Sequence, residues 1–167
     1  MTNTEWILVE KAKKGDAHAF ARLYETYYRD LYRFAVCFLK SETTAEDAVS
    51  SAVLKAYENL SRLRQNHSFK SWLFQITANE CRRFLKNTPT YAADVNAPEP
   101  VEEDAGYETL EVAELLSPLS TEERLVVTLS VFSGYSSKEI GKLIHKREGS
   151  VRSIKSRCLA RLRQQIN

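Results

Sequence analysis

The sequence predicts an all-α protein, with two small helical domains joined by a flexible acidic linker. Apolar residues recur at three- and four-residue spacing through both halves of the 167-residue chain, and no segment alternates as a strand would. Gly (5) and Pro (4) are scarce, which favours long helices over turn-rich sheet. Between the halves, the stretch from Asn87 to Gly106 holds three prolines, a run of acids and no periodic apolar face, the composition of an extended tether. The expected boundaries are residues 1–88, a linker at 89–106, and residues 107–167.

Each element has its own justification. Trp6, Ile7 and Val9 open a short helix that stops near Gly15. Asp16 is placed to cap the next helix. There Phe20, Leu23, Tyr24, Tyr27, Leu31, Phe34 and Phe38 hold one face for five turns. Thr43-x-x-Glu46 has capping-box spacing. It leads into a stripe of Ala45, Ala48, Val49, Ala52, Val53, Ala56, Tyr57 and Leu60, whose alanines allow close helix packing. A polar loop spans Ser61 to His67. Ser68 is then expected to cap a helix that turns Phe69, Trp72, Leu73 and Ile76 inward and ends in Arg82, Arg83 and Lys86. Beyond the linker, residues 107–116 form a short helix ended by Pro118. Ser120-x-x-Glu123 is a second capping box, before Leu125, Val126, Leu129 and Phe132, and Ser136-x-x-Glu139 is a third. A short helix (Ser137 to Ile144), a tight connection (His145 to Glu148) and a longer basic helix (Gly149 to Gln164) complete the chain.

Net charge is only +2, but it is segregated: residues 1–86 carry +4, 87–114 carry −8, 115–133 carry −1 and 134–167 carry +7. Two basic regions flank an acidic strip, so phosphate is attracted to both ends and repelled from the middle. No run approaches eighteen apolar residues, so no membrane-spanning helix is expected. The N-terminus lacks a signal peptide's uninterrupted apolar stretch. Cys37, Cys81 and Cys158 are odd in number, far apart and without CxxC spacing, which indicates buried thiols in a reducing cytoplasm rather than disulfides or a zinc site.

The last two helices have the spacing and charge of a helix-turn-helix that lies in the major groove. On the final helix Val151, Ile154, Cys158 and Leu162 share one arc. Gly149, Arg152, Ser153, Ser156, Ala160 and Arg163 take the opposite face, with Arg157 at its edge. Small residues let the backbone approach DNA, arginines reach guanine edges or phosphates, and serines contact either. A solvated basic face has the same composition; the capped helix and tight turn before it favour DNA. A second surface groups Phe69, Trp72 and Phe74 near Asn66, His67, Asn79, Arg82 and Arg83. That mixture suits either an aromatic core edge or a platform for unstacked bases. Glu46, Asp47, Ser50, Ser51, Lys55 and Glu58 face outward from the 45–60 stripe, as a solvated or a protein-docking face. His18, His67 and His145 stand apart, no metal-ligand spacing occurs, and GxSxG, GxxxxGK[ST] and GxGxxG are all missing, so neither enzyme, metal nor cofactor is expected.

The order of these parts resembles bacterial RNA polymerase sigma factors of the extracytoplasmic-function (ECF) group, in the sigma-70 family. In the first half the resemblance rests on Gly15-Asp16-x-x-Ala19-Phe20-x-x-Leu23-Tyr24, on Ala45-Glu46-Asp47-Ala48-Val49 running into Leu54-Lys55-Ala56-Tyr57, and on Ser68-Phe69-Lys70-Ser71-Trp72-Leu73-Phe74-x-Ile76-x-x-Asn79. In the second it rests on Leu119-Ser120, Glu139-Ile140, Gly149-Ser150-Val151-Arg152-Ser153, and Arg157 through Leu162.

The resemblance implies that residues 1–88 are sigma domain 2 and residues 107–167 are sigma domain 4. Domain 2 would bind core RNA polymerase through Asp47, Ser50, Ser51 and Leu54. It would capture the melted −10 promoter element with Asn66, His67, Ser68, Phe69, Trp72, Asn79, Arg82 and Arg83. Domain 4 would read the duplex −35 element with Arg147, Ser150, Arg152, Ser153, Ser156 and Arg157. An anti-sigma factor, often membrane-anchored in this family, would hold the protein inactive. The protein would be cytoplasmic, or tethered at the membrane by that partner without inserting itself. The alternative is a helix-turn-helix transcription regulator that does not substitute for a sigma factor. Six positions depart from the family pattern. Ser50-Ser51 replaces a Gln-Glu pair, and His145 and Lys146 stand where the turn usually has Gly and an apolar residue. Lys155 replaces a frequent Leu and must snorkel, and Arg83 replaces an acid or amide.

Overall fold

The computed structural model describes residues 2–87 and 105–166 and contains eight α-helices among them. The first group is α1 (Asn3–Lys13), α2 (Ala17–Leu39), α3 (Glu42–Asn59) and α4 (Phe69–Asn87), with two 3-10 turns, Leu60–Arg62 and Asn66–Ser68, between α3 and α4. The second is α5 (Ala105–Leu115), α6 (Thr121–Phe132), α7 (Ser137–Ile144) and α8 (Glu148–Ile166). The expected acidic linker, residues 89–106, lies outside the described residues but for Ala105 and Gly106, which open α5.

The caps explain most helix starts. The Asp16 carboxylate accepts from the Ala19 amide at 3.0 Å, as its position predicts. Ser120 with Glu123, and Ser136 with Glu139, form reciprocal capping boxes. Thr2 and Glu5 form another, ahead of α1. The Thr43–Glu46 box is not formed. Ser41 caps α3 instead, accepting from the Thr44 amide at 3.2 Å, so the helix begins before Thr43. Ser68 is not an isolated cap either; it is the last residue of a 3-10 turn that runs directly into α4.

α2 is the axis of the molecule and packs against α1, α3, α4, α5 and α6. Its predicted stripe is buried at Phe20, Leu23, Tyr27, Leu31, Phe34 and Phe38. Complete burial of each large apolar side chain is worth about 1.5–3 kcal/mol. Burial goes further than one stripe: all five residues from Phe34 to Phe38 are inaccessible. A helix closed on every side needs cover from two directions; α3 and α4 supply one and α5 and α6 the other. The two halves are therefore packed together. Arg124 of α6 is buried and its Nε donates to the Phe38 carbonyl at 2.9 Å. Lys40 Nζ donates to the Ser117 carbonyl at 2.9 Å, Arg33 pairs with Glu108 at 3.3 Å, and the Tyr135 hydroxyl donates to the Ser71 carbonyl. On α3 the alanines are buried as expected, but Tyr57 is exposed, its ring set edge-on to Phe20.

Candidate nucleic-acid interface

The helix-turn-helix is built locally. Its turn packs on Gly141, where a Cβ would meet the Lys146 carbonyl oxygen at 2.6 Å, so no larger residue fits without moving backbone. His145 takes the left-handed conformation, with φ 57 and ψ 42, and the Lys146 amide donates to the Gly141 carbonyl at 2.8 Å. The turn keeps its shape without glycine at 145, at a cost of roughly 1–2 kcal/mol for a left-handed non-glycine residue. Two acids of the first turn of α6 fasten this unit: Glu122 pairs with Lys146 at 3.0 Å and Glu123 with Arg161 at 2.8 Å. The Glu123 carboxyl is held down at about 2, first by the Ser120 backbone amide and then by Arg161.

On α8, Val151, Ile154, Cys158 and Leu162 are buried, as the sequence pattern predicts. Arg147, Ser150, Arg152, Ser153, Ser156 and Arg157 are all exposed, and Lys155 is half-buried. Arg152 pairs with Glu148 at 2.6 Å and the Ser153 hydroxyl donates to the Gly149 carbonyl at 3.0 Å. Arg147 and Arg157 make no ion pair among the described residues and remain available for phosphate. Ser150, Ser153 and Arg157 share a shallow groove with Ser120 and Lys146.

The surface of the first group is built from distant segments. Of the four residues of the 66–69 segment, His67 is exposed and Ser68 half-buried, whereas Asn66 and Phe69 face the protein. The Asn66 amide nitrogen donates to Glu10, and its oxygen accepts from Lys13 Nζ at 3.2 Å. Phe69 lies between the rings of Tyr27 and Trp72, with centroids 5.9 and 6.1 Å away. Trp72 is half-buried and, with Ile76, gives an apolar wall to a groove shared by Lys55, Asn59, Arg62 and Asn79. Asn59 and Arg62 were not singled out in the sequence, although their i+4 and i+7 spacing from Lys55 is a signal that could have found them.

Glu80 ties α3 to α4. It is buried and accepts from Ser51 at 2.8 Å, from Lys55, and from two nitrogens of Arg83 at 3.0 and 2.8 Å. Burial pushes its carboxyl up, but the hydrogen bonds from Lys55, Ser51 and Arg83 outweigh that and leave it below the ordinary value. Two departures from the family pattern, Ser51 and Arg83, thus meet across one carboxylate, with Arg83 Nη2 3.3 Å from the Ser51 hydroxyl. Arg82 is half-buried and Asn79 exposed. Along α3, Asp47 and Ser50 are exposed, Ser51 turns toward Glu80, and Leu54 is 65 % exposed, an unusual setting for leucine. Cys37, Cys81 and Cys158 are free and buried. No helix among the described residues is long and apolar enough to cross a membrane, and no metal-binding group of His, Cys, Asp and Glu occurs among them.

The fold and its two polar surfaces define a two-part helical protein with a helix-turn-helix at its C-terminal end. Residues 23–88 match the family Sigma-70 region 2, and residues 115–164 match Sigma-70, region 4. The chain is 32 % identical to the ECF RNA polymerase sigma factor BldN of Streptomyces coelicolor, over 93 % of this chain and 63 % of BldN. It is 30 % identical to the ECF RNA polymerase sigma factor SigM of Mycobacterium tuberculosis, over 89 % of this chain and 77 % of SigM. In fold it is similar to CnrH, solved in complex with the cytosolic domain of CnrY (TM-score 0.74, 24 % identity, 98 % of this chain and 97 % of that one). It is also similar in fold to the sigma factor RpoE of Bartonella quintana, solved with the anti-sigma factor NepR (TM-score 0.68, 21 % identity, 88 % and 96 %). The chain belongs to the ECF RNA polymerase sigma factors.

Proposed function

We propose that the protein is a non-catalytic specificity subunit that directs core RNA polymerase to a restricted set of promoters and favours DNA melting there. The family supports this. So does one structural observation: every polar residue expected to read duplex DNA on α8 is exposed, while the apolar stripe of the same helix is buried. Arg147, Ser150, Arg152, Ser153, Ser156 and Arg157 read the −35 duplex. His67, Ser68, Trp72, Asn79, Arg82 and Arg83 meet the −10 element, with Asn66 and Phe69 beneath them. Asp47, Ser50, Ser51 and Leu54 bear on core polymerase. Residues 1–88 and 107–167 act as sigma domains 2 and 4.

The physics of melting fits this division. A protein favours the open state only by binding the unpaired strand better than the duplex. One captured base, with stacking worth roughly 1–3 kcal/mol, supplies that difference. Mounting both readers on one enzyme raises the effective concentration of each at its own element. The protein acts in the cytoplasm and is restrained by an anti-sigma factor; RpoE, similar to it in fold, was solved in complex with one.

Run-off transcription with purified core polymerase tests the reading. The expected result is initiation at a promoter without any other sigma factor. A chain that binds promoter DNA but never lets core polymerase initiate is a helix-turn-helix regulator instead.

A further inference from the structure

The short helix α1 lies before both matched segments and carries none of the residues assigned to DNA or polymerase. It is nevertheless tied to the 66–69 segment by polar side chains. Asn66 is 7 % exposed, and its amide is engaged at both ends, the nitrogen by Glu10 and the oxygen by Lys13. Both partners are ionised, so both bonds are of the stronger charge-assisted kind. A third tie reaches the base of the loop: the Tyr27 hydroxyl donates to Glu5 at 2.8 Å, and the Tyr27 ring packs against Phe69.

The loop's own hydrogen bonds are all short-range. The Ser68 amide donates to the Gln65 carbonyl at 3.0 Å, the Phe69 amide donates to the Asn66 carbonyl, and the Ser71 hydroxyl donates to the Ser68 carbonyl at 3.0 Å. Discrimination between bases requires reading groups held to within about 0.5 Å, more than these local bonds alone can secure. An asparagine amide whose oxygen and nitrogen are both occupied within the protein has little left with which to read a base edge. Its neighbour His67 is exposed at the turn.

We infer that α1 positions the −10 loop: Glu10 and Lys13 clamp Asn66, which serves as the loop's anchor, and the clamp fixes His67 as its reader. This rests on the assignment of the 66–69 segment to the melted −10 element. Glu10 and Lys13 touch no DNA and are positioning residues.

The test uses the full chain with core polymerase and a pool of promoters randomised across the −10 element, with transcripts sequenced to give the base preference at each position. Glu10→Ala and Lys13→Met are expected to flatten the preference at one −10 position by roughly fivefold, the scale of one net hydrogen bond. Duplex −35 binding stays unchanged. Glu10→Gln, whose carbonyl still accepts from Asn66, keeps the wild-type preference, a rescue that general loosening would not give. His67→Ala removes preference at the same position. Wild-type preference in both folded Glu10→Ala and Lys13→Met overturns the inference. So does a changed preference in Asn66→Ala alone, which would make Asn66 the reader. Should Glu10→Ala lose helicity, Lys13→Met and Glu10→Gln decide. A wild-type chain that starts no transcript from any pool member overturns the sigma assignment itself, a result distinct from active protein with indifferent variants.

Discussion

At the start of α8 two polar residues of the exposed face bond within their own helix: Arg152 reaches Glu148 and Ser153 reaches the Gly149 carbonyl, each four residues away. Around the 66–68 turn and α4 the partners come from elsewhere in the chain. Asn66 is held by Glu10 and Lys13, 56 and 53 residues earlier, and Glu80 by Ser51 and Lys55, 29 and 25 residues earlier. The difference teaches how each surface tolerates change. A face assembled along one helix can alter its contacts while the fold stands, because its side chains project into water. A face assembled from several helices uses the same groups for shape and for stability, so its chemistry and its folding vary together.

The largest expected effect would break this contrast if it failed. Replacing both Lys55 and Arg83 by Ala leaves the buried Glu80 carboxylate with only Ser51. The protein is expected to lose about 3 kcal/mol, the scale for breaking a buried ion pair. Urea denaturation should show the drop, and adding Glu80→Leu should recover part of it. A double variant as stable as wild type would mean that the network is only surface decoration. Next in size, Arg152→Ala sharpens the contrast. Its pair with Glu148 is exposed and worth about 0.2–1 kcal/mol at most, so the denaturation midpoint barely moves. Loss of a good base contact of about 1–3 kcal/mol weakens −35 duplex binding roughly 5- to 150-fold. Fluorescence anisotropy at fixed salt measures it, and an equal loss on every sequence would assign Arg152 to phosphate instead. The smallest effect concerns the joint between α6 and α8. The Glu123 carboxyl sits at about 2 against an ordinary 4.5, so the unfolded chain binds the proton more readily. The stabilisation is therefore complete above about pH 4.5 and lost as pH falls toward 2. Wild type should melt above Glu123→Gln at pH 6, with the gap closing by pH 2 in thermal scans followed by circular dichroism.

The same contrast governs what could be read from the sequence. The apolar stripe of α8 and the boxes at Ser120 and Ser136 were legible because each is set within one turn or one helix. The cap of α3 was misplaced by two residues, since Ser41 has Thr44 rather than Glu or Gln three positions on and lacks the box signature. Ala35 and Val36 lie off the predicted stripe of α2, and the cover on that side comes from α5 and α6, more than sixty residues later. Asn66 read as a polar loop residue open to a ligand, and no local signal marks Glu10 and Lys13 as its holders. The α8 residues were placed on the exposed face and Phe69 on the inner one, while the interior position of Asn66 depends on α1, which no local pattern reveals.

Arg124 has a consequence for how the molecule opens. Phe38 lies in the last turn of α2, where carbonyl groups lack partners within the helix, and the Arg124 guanidinium from α6 fills that need. Fraying of the central helix and parting of the two halves are therefore one equilibrium. A partner that requires the halves apart must do that work with its own binding free energy, and its apparent affinity falls by the fraction of molecules already parted.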